Sequence, residues 1–166
     1  MPQNVNIKAT MQIDSSGAQT IGGAAPVYSK GPATDINLAD GTGTNQANRA
    51  YMATRTILTG ANDDLDLNGV LTDVFGNLLS LTIVKGIIIR SDPANTTNLT
   101  VGAAPSNTFT GPFGASTHTI TIRPGGFFGF AAPQTGYTVT PATGDILRIA
   151  NAAGASANYI IEIVGF

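Results

Sequence analysis

The sequence predicts an all-β protein: an antiparallel β-sandwich, jelly-roll-like, with an extended N-terminal arm. Three observations predict it. Apolar residues recur with period two, the spacing of a strand with one wet face. Gly, Pro and Asn punctuate the chain at short intervals, as in sandwiches and barrels. No segment carries a convincing helical period, and β-branched Thr, Ile and Val abound, which suit a pleated, half-buried surface.

Val5, Ile7, Ala9, Met11 and Ile13 share one face of a first strand, with Asn6, Lys8, Thr10 and Gln12 on the other. Residues 14–48 then break into Gly, Ala, Thr, Asn and Pro, with brief apolar touches at Val27-Tyr28 and Ile36–Leu38. So long a connection is unusual inside a compact domain. It predicts a surface-hugging arm or a segment ordered by a partner. A strand over 50–59 sets Tyr51, Ala53, Arg55 and Ile57 against Met52, Thr54, Thr56 and Leu58. A short strand at Leu65–Leu71 precedes a turn around Asp73–Asn77 that contains Gly76. Residues 80–90 are apolar on both faces, with Leu81, Ile83, Ile87 and Ile89 opposed to Val84 and Ile88. That marks a central strand, and Gly86 within it marks a bulge or a close backbone approach.

A polar loop, 91–98, leads to a strand at Leu99–Val101 and then to a Gly/Pro loop. The strand at 117–123 points Ile120 and Ile122 inward and Thr119, Thr121 and Arg123 outward. Arg123-Pro-Gly-Gly126 is a structural turn: Pro124 presets φ at the first corner and a glycine supplies positive φ at the second. Strands at 127–131, 136–140, 145–150 and 157–164 complete the set. No internal repeat of fixed period is present. The organisation expected is an N-terminal strand plus extended arm over residues 1–60 and a β-sandwich over 61–166.

Composition narrows the function. Charged residues are only 11% of the 166, and the formal charge is -2, against a usual charged share of about 25%. A chain without a basic footprint does not hold phosphates by counterion release, so nucleic acid is not an expected partner. There is no Cys, which removes disulfides, thiolate zinc sites and cysteine nucleophiles together. One His (His118) and one Glu (Glu162) leave little for acid–base catalysis. The first residues lack a basic n-region followed by an apolar h-region, and no apolar run spans a bilayer. The expectation is a protein made in a cytoplasm, with no membrane partner, no cofactor and no enzymatic activity.

Each candidate for chemistry has a plainer reading beside it. Asp64-Leu-Asp-Leu-Asn-Gly69 matches the first six positions of a calcium loop through Asp64, Asp66 and Asn68. The closing Glu would stand at residue 75, which is Phe75, and no helix flanks the segment. A strand edge with wet carboxylates and an Asn-Gly turn is preferred, and no metal is assigned. His118 shares a strand face with Ile120 and Ile122. Ser116 is near, but Gly114-Ala-Ser-Thr-His118 is not a nucleophile elbow, so a structural or interface histidine is favoured. Glu162 lies between Ile160 and Val164 and is expected to pair with Arg90, Arg123 or Arg148. Gly41-Thr-Gly-Thr-Asn-Gln46 lacks the third glycine and the context of a dinucleotide site. Phe109, Phe113, Phe127, Tyr28 and His118 are candidate interface residues, because an apolar strand face left bare marks an interface.

From Asp64 onward the chain resembles a family of small virion structural proteins of tailed bacteriophages. The residues that carry this are Asp64-Leu-Asp-Leu-Asn-Gly-Val-Leu-Thr-Asp-Val-Phe-Gly76, Val84-Lys-Gly-Ile-Ile-Ile-Arg90 and Leu99-Thr-Val-Gly102. Ile122-Arg-Pro-Gly-Gly-Phe127, Thr135-Gly-Tyr-Thr-Val139, Gly144-Asp-Ile-Leu-Arg-Ile-Ala-Asn151 and Asn158-Tyr-Ile-Ile-Glu-Ile-Val-Gly165 continue it. The resemblance implies a non-enzymatic protein of the particle. Within that class it implies a capsid decoration or cement protein on the virion surface. Its partners would be the major capsid protein and further copies of itself, with a trimer expected ahead of a dimer. In this reading residues 1–60 engage the partner. The alternative is a carbohydrate- or receptor-binding β-sandwich module of a phage fibre, spike or tail.

Overall fold

The computed structural model describes residues 36–166. The expected strand at Val5–Ile13 and the candidate Tyr28 lie outside the described residues. All regular structure within them is β: β1 (Arg49–Ile57), β2 (Asn62–Asp66), β3 (Asn68–Thr72), β4 (Leu78–Ser80), β5 (Ile83–Ser91) and β6 (Leu99–Gly102). There follow β7 (Thr119–Ile122), β8 (Phe127–Ala131), β9 (Tyr137–Thr138), β10 (Ile146–Asn151) and β11 (Ala157–Gly165).

One sheet runs β1-β11-β5-β8, with β9 also on β5, and a second runs β2-β10-β6-β7. Every pairing between these strands is antiparallel. The chain folds as nested hairpins: β1 pairs β11, β2 pairs β10, β5 pairs β8 and β6 pairs β7. Rolling that ribbon brings β11 onto β5 and β10 onto β6. Eight strands are thus shared between two antiparallel sheets, the arrangement of a β-sandwich. β3 and β4 form a separate hairpin between β2 and β5.

The inner faces of both sheets meet in one core. Tyr51, Ile57, Leu65, Ile87, Ile89, Leu99, Val101, Leu147, Ile149, Tyr159, Ile161 and Ile163 are all buried in it. Their alternation with outward polar residues is the period-two signal read from the sequence. β5 lies inside its sheet and is buried along most of its length, as two apolar faces require. Beside Gly86 the register skips: Val164 pairs with Gly86 and Gly165 with Val84, leaving Lys85 as the extra residue of a bulge.

The expected boundary after residue 60 moves. β1 pairs with β11 from Arg49–Gly165 to Ile57–Ala157, and its Tyr51 and Ile57 are core residues. Residues 36–47 also pack on the sandwich, where Leu38 and Ala47 bury against Val164. The folded unit therefore includes residues that the compositional break assigns to the arm. The break marks a loss of regular alternation, not the end of burial. The Leu65–Leu71 strand is in fact two short strands, β2 and β3, that hinge at Leu67.

Candidate functional site

The acidic segment at 63–68 is consumed by its own fold. Arg148 stands opposite Asp64 in the β10–β2 register and donates to both of its carboxylate oxygens, at 2.6 and 2.7 Å. An Oδ1 of Asp66 accepts the N–H of Asn68 at 2.8 Å, and the Asn68 amide donates to the Leu81 carbonyl at 2.7 Å. Asp64, Asp66 and Asn68, the calcium-loop candidates, are thus each engaged by neighbouring groups of the fold. Alternating strand residues do not converge as successive ligands on a helix-flanked loop do. Among the described residues no three His, Asp or Glu side chains come together as metal ligands.

Asp63 holds the two sheets together. It accepts Arg55 Nε at 2.6 Å, Arg55 Nη2 at 2.9 Å and the Tyr159 hydroxyl at 2.8 Å, while Arg55 Nη1 donates to the Tyr51 hydroxyl at 3.1 Å. Burial, reinforced by the adjacent Asp63 charge, pushes the Tyr159 hydroxyl far above its ordinary value. The Asp63 hydrogen bond holds the Arg55 guanidinium firmly protonated. Glu162 pairs with Arg90 at 3.2 Å on the outer face of the first sheet. Both partners are substantially exposed, and such a pair contributes about 0–1 kcal/mol.

His118 precedes β7 and is exposed, and its Nδ1 lies 2.8 Å from the Phe113 carbonyl. A carbonyl only accepts, so this geometry places the ring proton on Nδ1. The nitrogen that a triad would turn toward a carboxylate is tied to backbone instead. At Arg123–Gly126 the Gly126 N–H donates to the Arg123 carbonyl at 2.8 Å, and Gly125 has φ 72°. That is a type II turn with Pro at its first corner.

The aromatic candidates separate. Phe109 is 1% and Phe113 8% exposed, both inside the core, so neither is a surface residue. The Gly/Pro loop that carries them sends both rings into the core, where Phe113 lies with its ring centre 5.9 Å from that of Phe128. Phe128 and Phe130 pack against the same core, and Phe130 meets Tyr137 edge-on with ring centres 4.9 Å apart. Phe127, one residue out of phase with them, is 58% exposed.

A group of exposed apolar residues on one hairpin was not among the sequence candidates. On the β3–β4 hairpin Val70 is 70% exposed and Phe75 43%, with Val74 and Leu78 also exposed. The hairpin loop is rigid: Asp73 Oδ1 accepts the N–H groups of Phe75 and Asn77 at 2.9 and 2.8 Å. Val74 N–H donates to the Ala50 carbonyl at 3.0 Å, anchoring the loop to β1. Phe75 beside Gly76 was the legible signal, because an aromatic at a turn tip has no core to enter.

Two hollows remain. A wide depression of about 710 Å³ lies among the loops at 103–117 and 140–144. Ser106, Thr108, Thr110, Ser116, Thr140 and Thr143 line it, together with Asn107, and neither an aromatic ring nor a charged group does. Ala103, Asn107 and Ala142 around it hold φ of 53°, 53° and 62°, a costly left-handed geometry for residues other than glycine. A groove of about 300 Å³ runs along the outer face of the first sheet between Thr54, Arg90, Pro93, Phe127 and Ile160.

No family model matches the chain, and no curated protein does. Among solved structures it is similar to a chain of the cyanophage Pam1 capsid asymmetric unit. That match has 18% identity and a TM-score of 0.32, and covers 87% of this chain and 95% of the other. At that TM-score the likeness carries no weight for the fold, which rests on the strand pairing above.

Proposed function

We propose that this chain is a structural protein of a tailed-phage particle: a decoration or cement protein without a reaction of its own. It binds the outside of the assembled head and bridges neighbouring capsid subunits. The observation that carries this reading is the β3–β4 hairpin, which holds Val70, Val74, Phe75 and Leu78 out in water on a hydrogen-bonded loop. A rigid apolar projection gains by burial in a partner and loses little entropy on docking. The resemblance from Asp64 onward supplies the phage context, and its first segment, Asp64–Gly76, includes β3 and most of the hairpin loop. Arg55, Arg90 and Arg148 are paired to Asp63, Glu162 and Asp64, which leaves a surface suited to adhesion more than to acid–base work.

The mechanism is linkage. A ligand that binds the assembled shell and not its dissociated subunits stabilises the shell by mass action. A stable contact buries on the order of 1,600 Å² in total, more than one hairpin offers. The protein therefore acts as a homo-oligomer, a trimer ahead of a dimer, whose copies engage the lattice together.

Co-sedimentation of the purified full-length protein with mature capsids tests this. The wild type pellets with heads at a fixed ratio to the major capsid protein, and Val70→Asp/Phe75→Asp stays in the supernatant while keeping its β-rich circular dichroism. A wild type that remains soluble beside saturating heads overturns the reading. One observation favours the alternative, a receptor- or carbohydrate-binding module: the hydroxyl-lined depression falls in the size range of ligand pockets. It lacks the ring that a sugar platform uses. Glycan-array binding that is lost on Asn107→Ala would favour that alternative.

A further inference from the structure

One sheet edge of the molecule stands open. β1 ends the first sheet and pairs with β11 on one side only. Backbone groups of successive strand residues point to opposite sides. Ala50 marks the phase: its carbonyl turns away from β11 and accepts the Val74 N–H at 3.0 Å. Met52, Thr54 and Thr56 share that phase. Among the described residues no backbone group bonds to them from the outer side, and all three are exposed. Sheet edges are ordinarily guarded by charge, Pro, bulges or brevity. β2 carries Asp63, Asp64 and Asp66, β7 is 4 residues long and runs into Arg123-Pro124, and β8 has Gly129 at its centre. β1 is 9 residues long, holds neither Pro nor Lys, and keeps one register with β11 throughout. Arg55, on its inner face, is held by Asp63.

The open stretch is complementary to itself. Two copies of one strand pair antiparallel about a two-fold axis. With Thr54 on the axis, Thr54 faces Thr54 of the second copy, and Met52 and Thr56 face each other. Each such pair exchanges two backbone hydrogen bonds, about six in all. The neighbouring registers lose part of this. Centring on Ala53 calls on the Ala50 carbonyl, which the Val74 N–H already occupies. Centring on Arg55 calls on the Leu58 carbonyl, which already accepts the Ala61 N–H and the Asn151 side-chain amide. The side chains agree with the Thr54 register. On the outer face Thr meets Thr, a favourable cross-strand pair. On the inner face Arg55 stands opposite Ala53 and not opposite its own copy, so like charges are not directly opposed. The ends fit as well. Ala50 comes opposite Leu58 of the second copy, and Val74 is bonded to Ala50. Leu58 and Val74 are both exposed, so the pairing covers two apolar side chains at each end.

We propose that β1 pairs with β1 of a second copy of this chain, antiparallel about Thr54, so that the two β1-β11-β5-β8 paths run on as one sheet across a two-fold axis. This pairing goes beyond the capsid reading and does not rest on it. It favours the dimer over the trimer as the self-associated form.

Sedimentation equilibrium of the full-length protein without capsids tests this, and its failure leaves the capsid reading where it stands. The wild type is a dimer. Thr54→Pro removes the N–H at the axis, which points away from β11, so each copy keeps its own sheet. Both bonds of the central pair are lost, and the dissociation constant rises more than about tenfold. Thr54→Lys sets like charges face to face and weakens the dimer in the same way. It decides the matter if the proline variant fails to fold. The control Thr119→Lys, on the exposed part of β7 in the other sheet, leaves the dimer unchanged. A monomeric wild type, a trimer, or a dimer that persists in Thr54→Lys protein with native circular dichroism overturns the proposal.

Discussion

Asp63 carries more of the fold than its place in a surface-strand sequence suggests. It links a guanidinium on β1 and a phenol on β11 to a strand of the other sheet. Asp63→Ala leaves Arg55 without its carboxylate and a buried Tyr159 hydroxyl without its acceptor. Stranding groups of this kind costs about 3–5 kcal/mol, read as a lower urea midpoint at unchanged m-value. Lys85 is the other costly residue. The bulge turns it into the protein, where its Nζ donates to the Gln134 carbonyl at 2.7 Å and lies 5.3 Å from the Phe166 ring centre. Burial lowers its pKa below the ordinary 10.5. Between the folded pKa and 10.5 the unfolded chain binds more protons than the folded one, so this group's contribution to stability rises with pH across that window. Lys85→Met removes the titration. The difference in unfolding free energy, variant minus wild type, shrinks as the pH is raised from 7 toward 10.5. A difference constant with pH, measured by urea titration, would refute the assignment.

Turns and short strands decide where exposed groups end up. The Arg123–Gly126 turn needs positive φ at Gly125 and sets the phase of β8, so that Phe128 faces the core and Phe127 faces water. Gly125→Val forces a β-branched side chain into the left-handed region and costs at least about 1–2 kcal/mol, seen as a lower melting temperature. Its Cβ would also approach Pro93 at 3.6 Å, next to the groove. The β3–β4 hairpin is the opposite case. Phe75→Ala removes an exposed ring that supports no core, and its unfolding free energy stays within about 0.5 kcal/mol of the wild type. Its capsid co-sedimentation falls. A destabilised Phe75→Ala variant would mean that the ring is structural. The turn at Asp73–Asn77 and the inward Ile120 and Ile122 were legible because they depend on local φ and local alternation. The split of 65–71 was not, because Leu67 looks like one more apolar residue in a run, and the hinge comes from Leu67 N–H donating to the Asp145 carbonyl, far away in sequence.

At the scale of the molecule, the outermost pairing joins Arg49 to Gly165, nearly the whole folded length. Loop closure on that scale has to be met before β1 and β11 reward it, so folding belongs to the slow end of two-state domains, milliseconds to seconds. Stopped-flow refolding on the microsecond scale would contradict nested pairing as the organising contact. The same closure places residues 36–57 in the folded unit. Composition alone placed the boundary after 60, because Ala, Gly and Thr bury as well as they expose and give no hydrophobic signal.

The amino-acid sequence by itself determined that the protein is all-β, where the central strand lies, where the turns at 73–77 and 123–126 fall, and how few reactive groups it has. These follow from the two-residue period, from the φ demands of Pro and Gly, and from counting side chains. Only the tertiary structure decided which of those strands are neighbours, that Asp63, Asp64 and Glu162 are bound to Arg55, Arg148 and Arg90, and that Phe109 and Phe113 lie in the core while Val70 and Phe75 face water. The physical reason is that burial and ion pairing are properties of pairs brought together across the rolled ribbon. A local pattern fixes which way a side chain points, and only the partner strand fixes what it points at.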